Sequence, residues 1–418
     1  MKPRPPLPPG PFLVLGLERS GQAAAAALAR RGEEVIAVDA RHPAGAGRLA
    51  EHGVEVRLDE PGVDLVPRAR TLVKSPGVPA EAPPVRAARA AGLTVLGELE
   101  LGWLLLPNPF VAVTGTNGKT TTVELLGAVF RAADRPVEVA GNVGRALSAL
   151  AGRVEPDTWI VAECSSFQLE DTEAFAPEAA VLLNLGEDHV DRHGTLEAYT
   201  AAKLRIFTRQ ARDDVAVVPE GLALETRAER VTFGPDDPLP DADVLLPGAH
   251  NRLNAMAAAA AALSVGVEED AVRDALATFA GVAHRLEVVS ERDGVTWVND
   301  SKATNVASTL VALAAFAPPI HLILGGQGKG QDFGALRAPV AERCASVALI
   351  GEDAPGIARA LGDAAPVLPA GTLERAVAAL GERARPGEVV LLSPACASFD
   401  QFADFEHRGD RFSELVLG

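Results

Sequence analysis

The chain has 418 residues, 48% of them hydrophobic, and its 56 acidic against 39 basic side chains give a formal charge of −17. That length exceeds what one hydrophobic core serves, so two or three domains are expected, and the acidic balance argues against a nucleic-acid or anionic-membrane surface. The three cysteines, Cys164, Cys344 and Cys396, are widely spaced and form no C-x-x-C pair, which speaks against a disulfide framework or a zinc site and fits a reducing cytosol.

The start, MKPRPPLPPG, lacks the apolar core of a signal peptide, and no unbroken apolar run reaches membrane-spanning length. A cytoplasmic protein without membrane insertion is expected, with a proline-rich, extended and mobile lead-in. From there, apolar runs of strand length alternate with helical stretches, the pattern of α/β domains with mostly parallel sheets. The alanine runs Ala23–Ala27 and Ala257–Ala262 read as helix interiors.

The first block opens with FLVLGLERSG, continues through a helix around Gln22–Arg31 and reaches the strand EVIAVD, ending at Asp39. Gly16 and Gly21 bracket a strand-to-helix turn, and Asp39 stands where a Rossmann fold places a ribose-binding carboxylate. Glu18 replaces the middle glycine of G-x-G-x-x-G, so side chain and charge both oppose a pyrophosphate, which argues against a NAD-dependent dehydrogenase. Two structural glycines explain the turn as well as a nucleotide does. Ser75-Pro76-Gly77 adds a second polar turn, and Pro107-Asn108-Pro109 marks a boundary.

The second block begins with FVAVTGTNGKTTT, Phe110 to Thr122. Here Gly115 and Gly118 let the backbone approach phosphate oxygens, a helix starting near Lys119 aims its N-terminus at the anion, and Thr120 stands where P-loop proteins place a Mg²⁺ ligand. Val113 occupies the place of the motif's first glycine, and an ordinary turn with a solvated lysine is the plain alternative. In WIVAECSSF, Glu163 ends an apolar strand, the position of a Walker-B-type carboxylate. NLGEDHVDRHG projects Asp188, His189 and Asp191 from the next strand, with Asp191 read as a loop charge, and YTAAKLRIF carries Lys203 on a helix. An alanine-rich helix follows His250-Asn251, and a boundary lies near Ala283.

In the third block NDSKATN and GGQGKGQDF each follow a strand and bring Asp300, Lys302, Thr304 and Lys329 to one sheet edge. SPACASFDQF repeats the design with Ser393, Ser398 and the aromatic residues Phe399, Phe402 and Phe405. Cys396 has no histidine partner in any motif and reads as a packing residue. The expected architecture is α/β with three domains: Rossmann-like over 1–107, a central P-loop-type ATPase domain over 108–283, and Rossmann-like again over 284–418.

In order along the chain, TGTNGKTT, GNVG, AECSSFQLE, NLGEDHVDRHG, AAKLRIF, HNRLNA, HRLE, NDSKATN, LGGQGKGQDF and SPACASFDQFADFEHRG resemble the Mur ligases, ATP-dependent amide-bond enzymes of bacterial cell-wall precursor synthesis. The last motif is similar to that of the D-glutamate-adding member. The resemblance implies small-molecule substrates, UDP-N-acetylmuramoyl-L-alanine and D-glutamate, with ATP, two Mg²⁺ ions and a monomeric enzyme. Thr116, Asn117, Gly118, Lys119, Thr120, Thr121 and Thr122 would wrap the ATP phosphates. Asn254, Arg285 and Asp300 would hold adenine and ribose between the second and third blocks.

By the same resemblance Thr120 and Glu163 would hold one Mg²⁺, and His189 and Lys203 would serve the second. Lys203 would be carbamylated by CO₂, which turns a repelled cation into a carboxylate-like ligand. Leu17, Glu18, Asp39, Arg41, Ser75, Gly77 and Asn142 match the UDP-sugar region, and Lys302, Thr304, Lys329, Ser398 and Phe405 match the D-glutamate pocket. Glu18 stands where a small or hydroxyl residue is common. The implied reaction passes through an acyl phosphate that water would destroy, so the third block would close over the second, with the two boundaries as hinges. A Mur-family ligase for another amino acid, or a P-loop nucleotide switch, are the alternatives.

Overall fold

The computed structural model describes residues 2–186, 190–237, 239, 248–279, 281–328 and 330–418, without the side chains of Val190 and Asp191. The apolar runs assemble into three sheets. The first contains β1 (Phe12–Leu15), β2 (Val35–Asp39), β3 (Glu55–Leu58), β4 (Thr71–Lys74) and β5 (Thr94–Gly97), all parallel, in the order β3-β2-β1-β4-β5. Strands β1, β2 and β4 are buried throughout, as a parallel sheet covered on both faces demands. The helix Arg19–Arg30 lays Gly21, Ala24, Ala25 and Leu28 inward at helical spacing.

The second sheet holds β6 (Phe110–Thr114), β7 (Val137–Gly141), β8 (Trp159–Glu163), β9 (Ala179–Leu182), β10 (Val215–Pro219) and β11 (Glu229–Phe233) in the order β11-β10-β9-β6-β8-β7. All its pairings are parallel, and its central strand β6 is flanked by chain that departs to opposite sides, a topological switch point. The third sheet runs β12-β13-β17-β14-β15-β16, from β12 (Glu287–Arg292), β13 (Val295–Asn299), β14 (Ile320–Gly325), β15 (Cys344–Ile350), β16 (Val367–Gly371) and β17 (Val389–Leu392). Only β12 among these is antiparallel to its neighbour. Both alanine runs fall inside helices, Arg19–Arg30 and Ala249–Ser264, and among the described residues no helix is long and apolar enough to cross a membrane.

The described residues form two compact units, the first holding the first two sheets and Leu253–Ala277, the second holding the third sheet within Thr278–Gly418. Within the first unit, the helix Glu98–Leu105 is the wedge between the two sheets. Leu101 joins the core of the first sheet, while Leu99 and Trp103 join that of the second. Its two glutamates are buried as well. Glu98 Oε1 accepts Ser148 N at 2.8 Å and Ser148 Oγ at 2.6 Å, and Glu100 accepts the backbone N–H groups of Glu173, Ala174 and Phe175. Burial raises the pKa of both carboxyls above the ordinary range.

Beside this wedge Lys74, fully buried at the end of β4, reaches Asp171 Oδ2 at 2.6 Å and Glu170 Oε1 at 3.4 Å. Such a pair costs desolvation and adds little net stability, yet removing one partner alone is strongly destabilising, by about 3–5 kcal/mol. It joins the end of β4 in the first sheet to the segment that follows β8 in the second.

The expectation of a mobile lead-in is overturned. Lys2 Nζ donates to Ala176 O at 2.7 Å and pairs with Asp214, while Arg4 lies 4.2 Å over the Trp103 ring and donates to Leu106 O and Asn108 O. Proline-rich backbone is extended and cannot hydrogen-bond to itself, so its cationic side chains bond instead to the segments that lead into β6, β9 and β10 of the second sheet.

Candidate active site

The register of the second sheet brings the motifs to one edge. Val113 of β6 stands opposite Glu163 of β8, and Glu163 opposite Gly141 of β7, so the phosphate-loop residues, the carboxylate and Asn142 emerge side by side at the strands' carboxyl ends. Gly118 caps the helix Lys119–Ala132 in the left-handed region, with φ +85°. That φ calls for glycine, and a Cβ there would lie 2.2 Å from Asn254 Oδ1, the end of a side chain that packs against the loop. Lys119 Nζ bridges Gly115 O at 2.8 Å and Thr116 O at 2.9 Å, Thr120 Oγ1 donates to Glu163 Oε2 at 2.8 Å, and Asn142 Nδ2 donates to Glu163 Oε1 at 2.9 Å. Thr121 and Thr122 are buried, the latter donating to Gly118 O.

Lys203 is 1% exposed. Its Nζ donates to Gly115 O at 2.8 Å and sits 4.5 Å over the Tyr199 ring, so it shares an acceptor with Lys119. The structure therefore draws Lys119, Thr120, Glu163 and Lys203 to one loop. His189 lies outside the described residues, as do Asp188 and Lys329.

Three contributors escaped the sequence reading. Asn184, directly after β9, accepts Asn117 N at its Oδ1 and donates from Nδ2 to Asn117 O, while Asn184 O accepts Thr116 N. Tyr199 OH lies 3.2 Å from Thr116 Oγ1, and His193 stacks on Phe167 with Nε2 3.0 Å from Ser166 Oγ. Asn184 and His193 stand inside NLGEDHVDRHG, where the charged residues drew attention away from them.

The first sheet carries a cleft of ≈640 Å³ lined by Glu18, Asp39, Arg41, Ser75, Gly77 and Asn142 among others, which unites six of the seven residues matched to the UDP-sugar. Leu17 is the seventh. Its side chain is fully buried, and its backbone N–H donates to Asp39 Oδ2 at 2.6 Å. Asp39 Oδ1 accepts Arg41 N at 2.8 Å, so this carboxylate, 5% exposed, fixes the turn. Glu18 Oε1 accepts from Arg41 Nη2 at 3.0 Å, with both side chains largely exposed.

In the second unit, Asp300 and Lys302 follow β13 and Ser393 and Ser398 follow β17, the adjacent strand. Asp300 Oδ2 accepts from Ser393 Oγ at 2.7 Å, and Oδ1 accepts Leu286 N at 3.3 Å. Burial pushes its carboxyl up to about 7, against the opposing pull of the Ser393 hydroxyl and the Arg285 and Arg408 guanidiniums. Arg285 is flanked by His284 and Leu286 at φ +62° and +49°, strained positions for these residues. Lys302 Nζ stands 5.6 Å over the Phe405 ring, Thr304 N donates to Lys302 O, and Ser398 is buried. Beneath them Arg408, 1% exposed and unmarked in the sequence reading, donates to Ser301 Oγ, Ser301 O and Cys396 O. Burial pushes the Cys396 thiol up to about 12, which keeps it protonated and unsuited to attack.

Comparison with known proteins follows this layout. Family models match in succession, the Mur ligase MurD-like N-terminal domain over residues 11–97, the Mur ligase middle domain over 113–237, and the Mur ligase glutamate ligase domain over 284–396. Similar curated proteins include UDP-N-acetylmuramoylalanine–D-glutamate ligases of Acidobacterium capsulatum, 43% identical over 97% of this chain and 95% of that one, and Gloeobacter violaceus, 44% identical over 96% and 98%. Among solved structures, MurF of Acinetobacter baumannii aligns with a TM-score of 0.61 at 17% identity over 97% of this chain and 93% of its own. MurC of Thermotoga maritima aligns at 0.59 and 17%, over 98% and 99%, and both show the shared fold alone. With that identity sustained from the first sheet through the third, the chain belongs to the Mur ligase family.

Proposed function

We propose that this protein is a cytoplasmic, ATP-dependent ligase that adds D-glutamate to UDP-N-acetylmuramoyl-L-alanine in peptidoglycan precursor synthesis, with its domains divided at 1–107, 108–283 and 284–418. The observation that carries the reading is the meeting of Lys119, Thr120, Glu163 and Lys203 at one loop in a chain 43–44% identical to ligases of that name. The acceptor's alanine carboxylate oxygen attacks the γ-phosphorus of ATP, ADP leaves, and an acyl phosphate results. The neutral amine of D-glutamate then attacks the acyl carbon, and the tetrahedral intermediate collapses to the amide with loss of phosphate and of the amine's proton.

Each residue has a part in this sequence. Lys119 places a cation at the outer phosphates, and the N-terminus of the helix Lys119–Ala132 favours negative charge there. Thr120 Oγ1 and Glu163 Oε2, 2.8 Å apart, are hard oxygen donors that fit Mg²⁺, an ion that takes few protein ligands and completes its shell from phosphate and water. When bound, Mg²⁺ neutralises charge that would repel the attacking carboxylate. Asn142 orients Glu163 from behind.

Lys203 is buried beside Gly115, and as a carbamate formed with CO₂ it would serve, with His189, a second Mg²⁺. Asn254, Arg285 and Asp300 would hold the nucleoside. Lys302 and Lys329 would meet the two carboxylates of D-glutamate beside Thr304, Ser398 and Phe405.

The test is phosphate release from ATP with the UDP-muramoyl-L-alanine acceptor and a panel of amino acids. Release should require D-glutamate. Release driven instead by L-alanine, a diamino acid or L-glutamate would overturn the substrate assignment, and release indifferent to the acceptor would overturn the ligase.

A further inference from the structure

Arg192 belongs to none of the sites assigned above, yet it is the cation that grips one wall of the cleft. Its side chain is 19% exposed, with the guanidinium 4.3 Å over the Phe167 ring and Nη2 3.2 Å from Glu170 Oε1. Its Nη2 donates to Pro76 O at 2.9 Å and Val78 O at 3.1 Å, and Nη1 to Gly77 O at 3.4 Å. Lys74 Nζ donates to Val78 O as well, at 2.9 Å. Three successive carbonyls, of Pro76, Gly77 and Val78, are thus drawn toward a cation of the second sheet's loops, although they belong to the turn after β4 of the first sheet.

A planar trans peptide points its N–H opposite to its C=O. The Pro76 carbonyl faces Arg192, so the N–H of Gly77 in the same peptide faces away from it, and Pro76 and Gly77 line the cleft with Arg41. A Cβ at Gly77 would meet nothing within 4 Å, so a ligand can come close to this backbone. One N–H beside the Arg41 guanidinium, largely exposed and freed for a phosphoryl group once its surface pair with Glu18 opens, suits that group's oxygens.

Resting on the acceptor reading above, we propose that Arg192 is a positioning residue which, by holding the Pro76, Gly77 and Val78 carbonyls, sets the Gly77 N–H toward the diphosphate of the UDP-bearing acceptor. Phe167 fixes the guanidinium plane and Glu170 balances its charge, so the turn is shaped before the ligand arrives. A lysine in the same place could satisfy fewer carbonyls, lacking the planar fork.

Calorimetry with UDP as probe, together with steady-state kinetics on the full-length enzyme, tests this. Arg192→Ala should weaken UDP binding and raise KM for the acceptor by about ten- to hundredfold, with kcat and KM for ATP within about twofold, because hydrogen bonds to a charged group are lost at the acceptor's wall and not at the reacting atoms. Arg192→Lys should recover part of the loss. UDP affinity equal to wild type in Arg192→Ala would overturn the role, as would a lowered kcat with every KM raised alike and a lowered unfolding midpoint. Should Arg192→Ala fail to fold, Arg192→Lys carries the test, and wild-type UDP affinity there would overturn it. Wild-type turnover with an amino acid other than D-glutamate would sink the substrate assignment while leaving the UDP result intact; wild-type protein that does not bind UDP would overturn both.

Discussion

Two glycine-rich strand-to-helix turns, Gly16–Gly21 on the first sheet and Gly115–Gly118 on the second, start from the same backbone design and diverge in where their polar groups go. In the first, Asp39 accepts Leu17 N and Arg41 N, Ser75 Oγ donates to Gly16 O, and a Cβ on Gly21 would stand 1.7 Å from Gly16 O. The helix is pulled shut onto its own turn. In the second, Asn184 holds Thr116 and Asn117 from behind, and two lysines converge on Gly115 O. The same glycine pattern thus serves two arrangements: neighbouring polar groups close the first turn and support the second from outside.

The comparison breaks first at Lys119. Lys119→Ala should lower kcat by about 10³-fold in a phosphate-release assay, because the turn loses its charge for the transferred phosphoryl group. Lys203→Ala should cost about 10²-fold, and if Lys203 carries the proposed carbamate, part of that should be regained with added short-chain carboxylic acids. Absence of rescue at every concentration would count against the carbamate.

The two glycines sharpen the contrast. Gly21→Ala meets backbone that cannot yield and should lower the unfolding free energy of the first unit by about 3 kcal/mol in urea titration. Gly118→Ala meets the amide end of Asn254 and a left-handed φ, so it should cost about 1–2 kcal/mol of stability while impairing turnover far more than Gly21→Ala does per folded molecule. Smallest of all, Glu18→Ser removes an exposed pair with Arg41 and should shift stability by less than about 0.5 kcal/mol, visible as an unchanged thermal midpoint.

Much of this was legible in the sequence because motif and geometry coincide over short stretches. The strand–glycine–lysine–threonine order in Phe110–Thr122 dictates its own shape, and the burial of a carboxylate at a strand end marked Glu163. What stayed hidden depends on partners far along the chain. Asn184 reads as one polar loop residue until its bonds to Asn117, 67 residues earlier, are seen. Arg192 grips carbonyls 114 to 116 residues away, and Lys2 donates to one 174 residues away, which is why a proline-rich start suggested a loose end. Arg408, with three acceptors in two different loops, gave no local sign of burial.

The buried charges between the first two sheets also bear on how the chain is made. A nascent chain leaves the ribosome from its amino end, and domains tend to fold as they emerge. Here Glu98 waits for Ser148, 50 residues later, Glu100 for N–H groups 73 to 75 residues later, and Lys74 for Glu170, 96 residues later. Until that stretch is synthesised these ionisable groups lack their partners, so the docking of the wedge helix is tied to the translation of the second sheet.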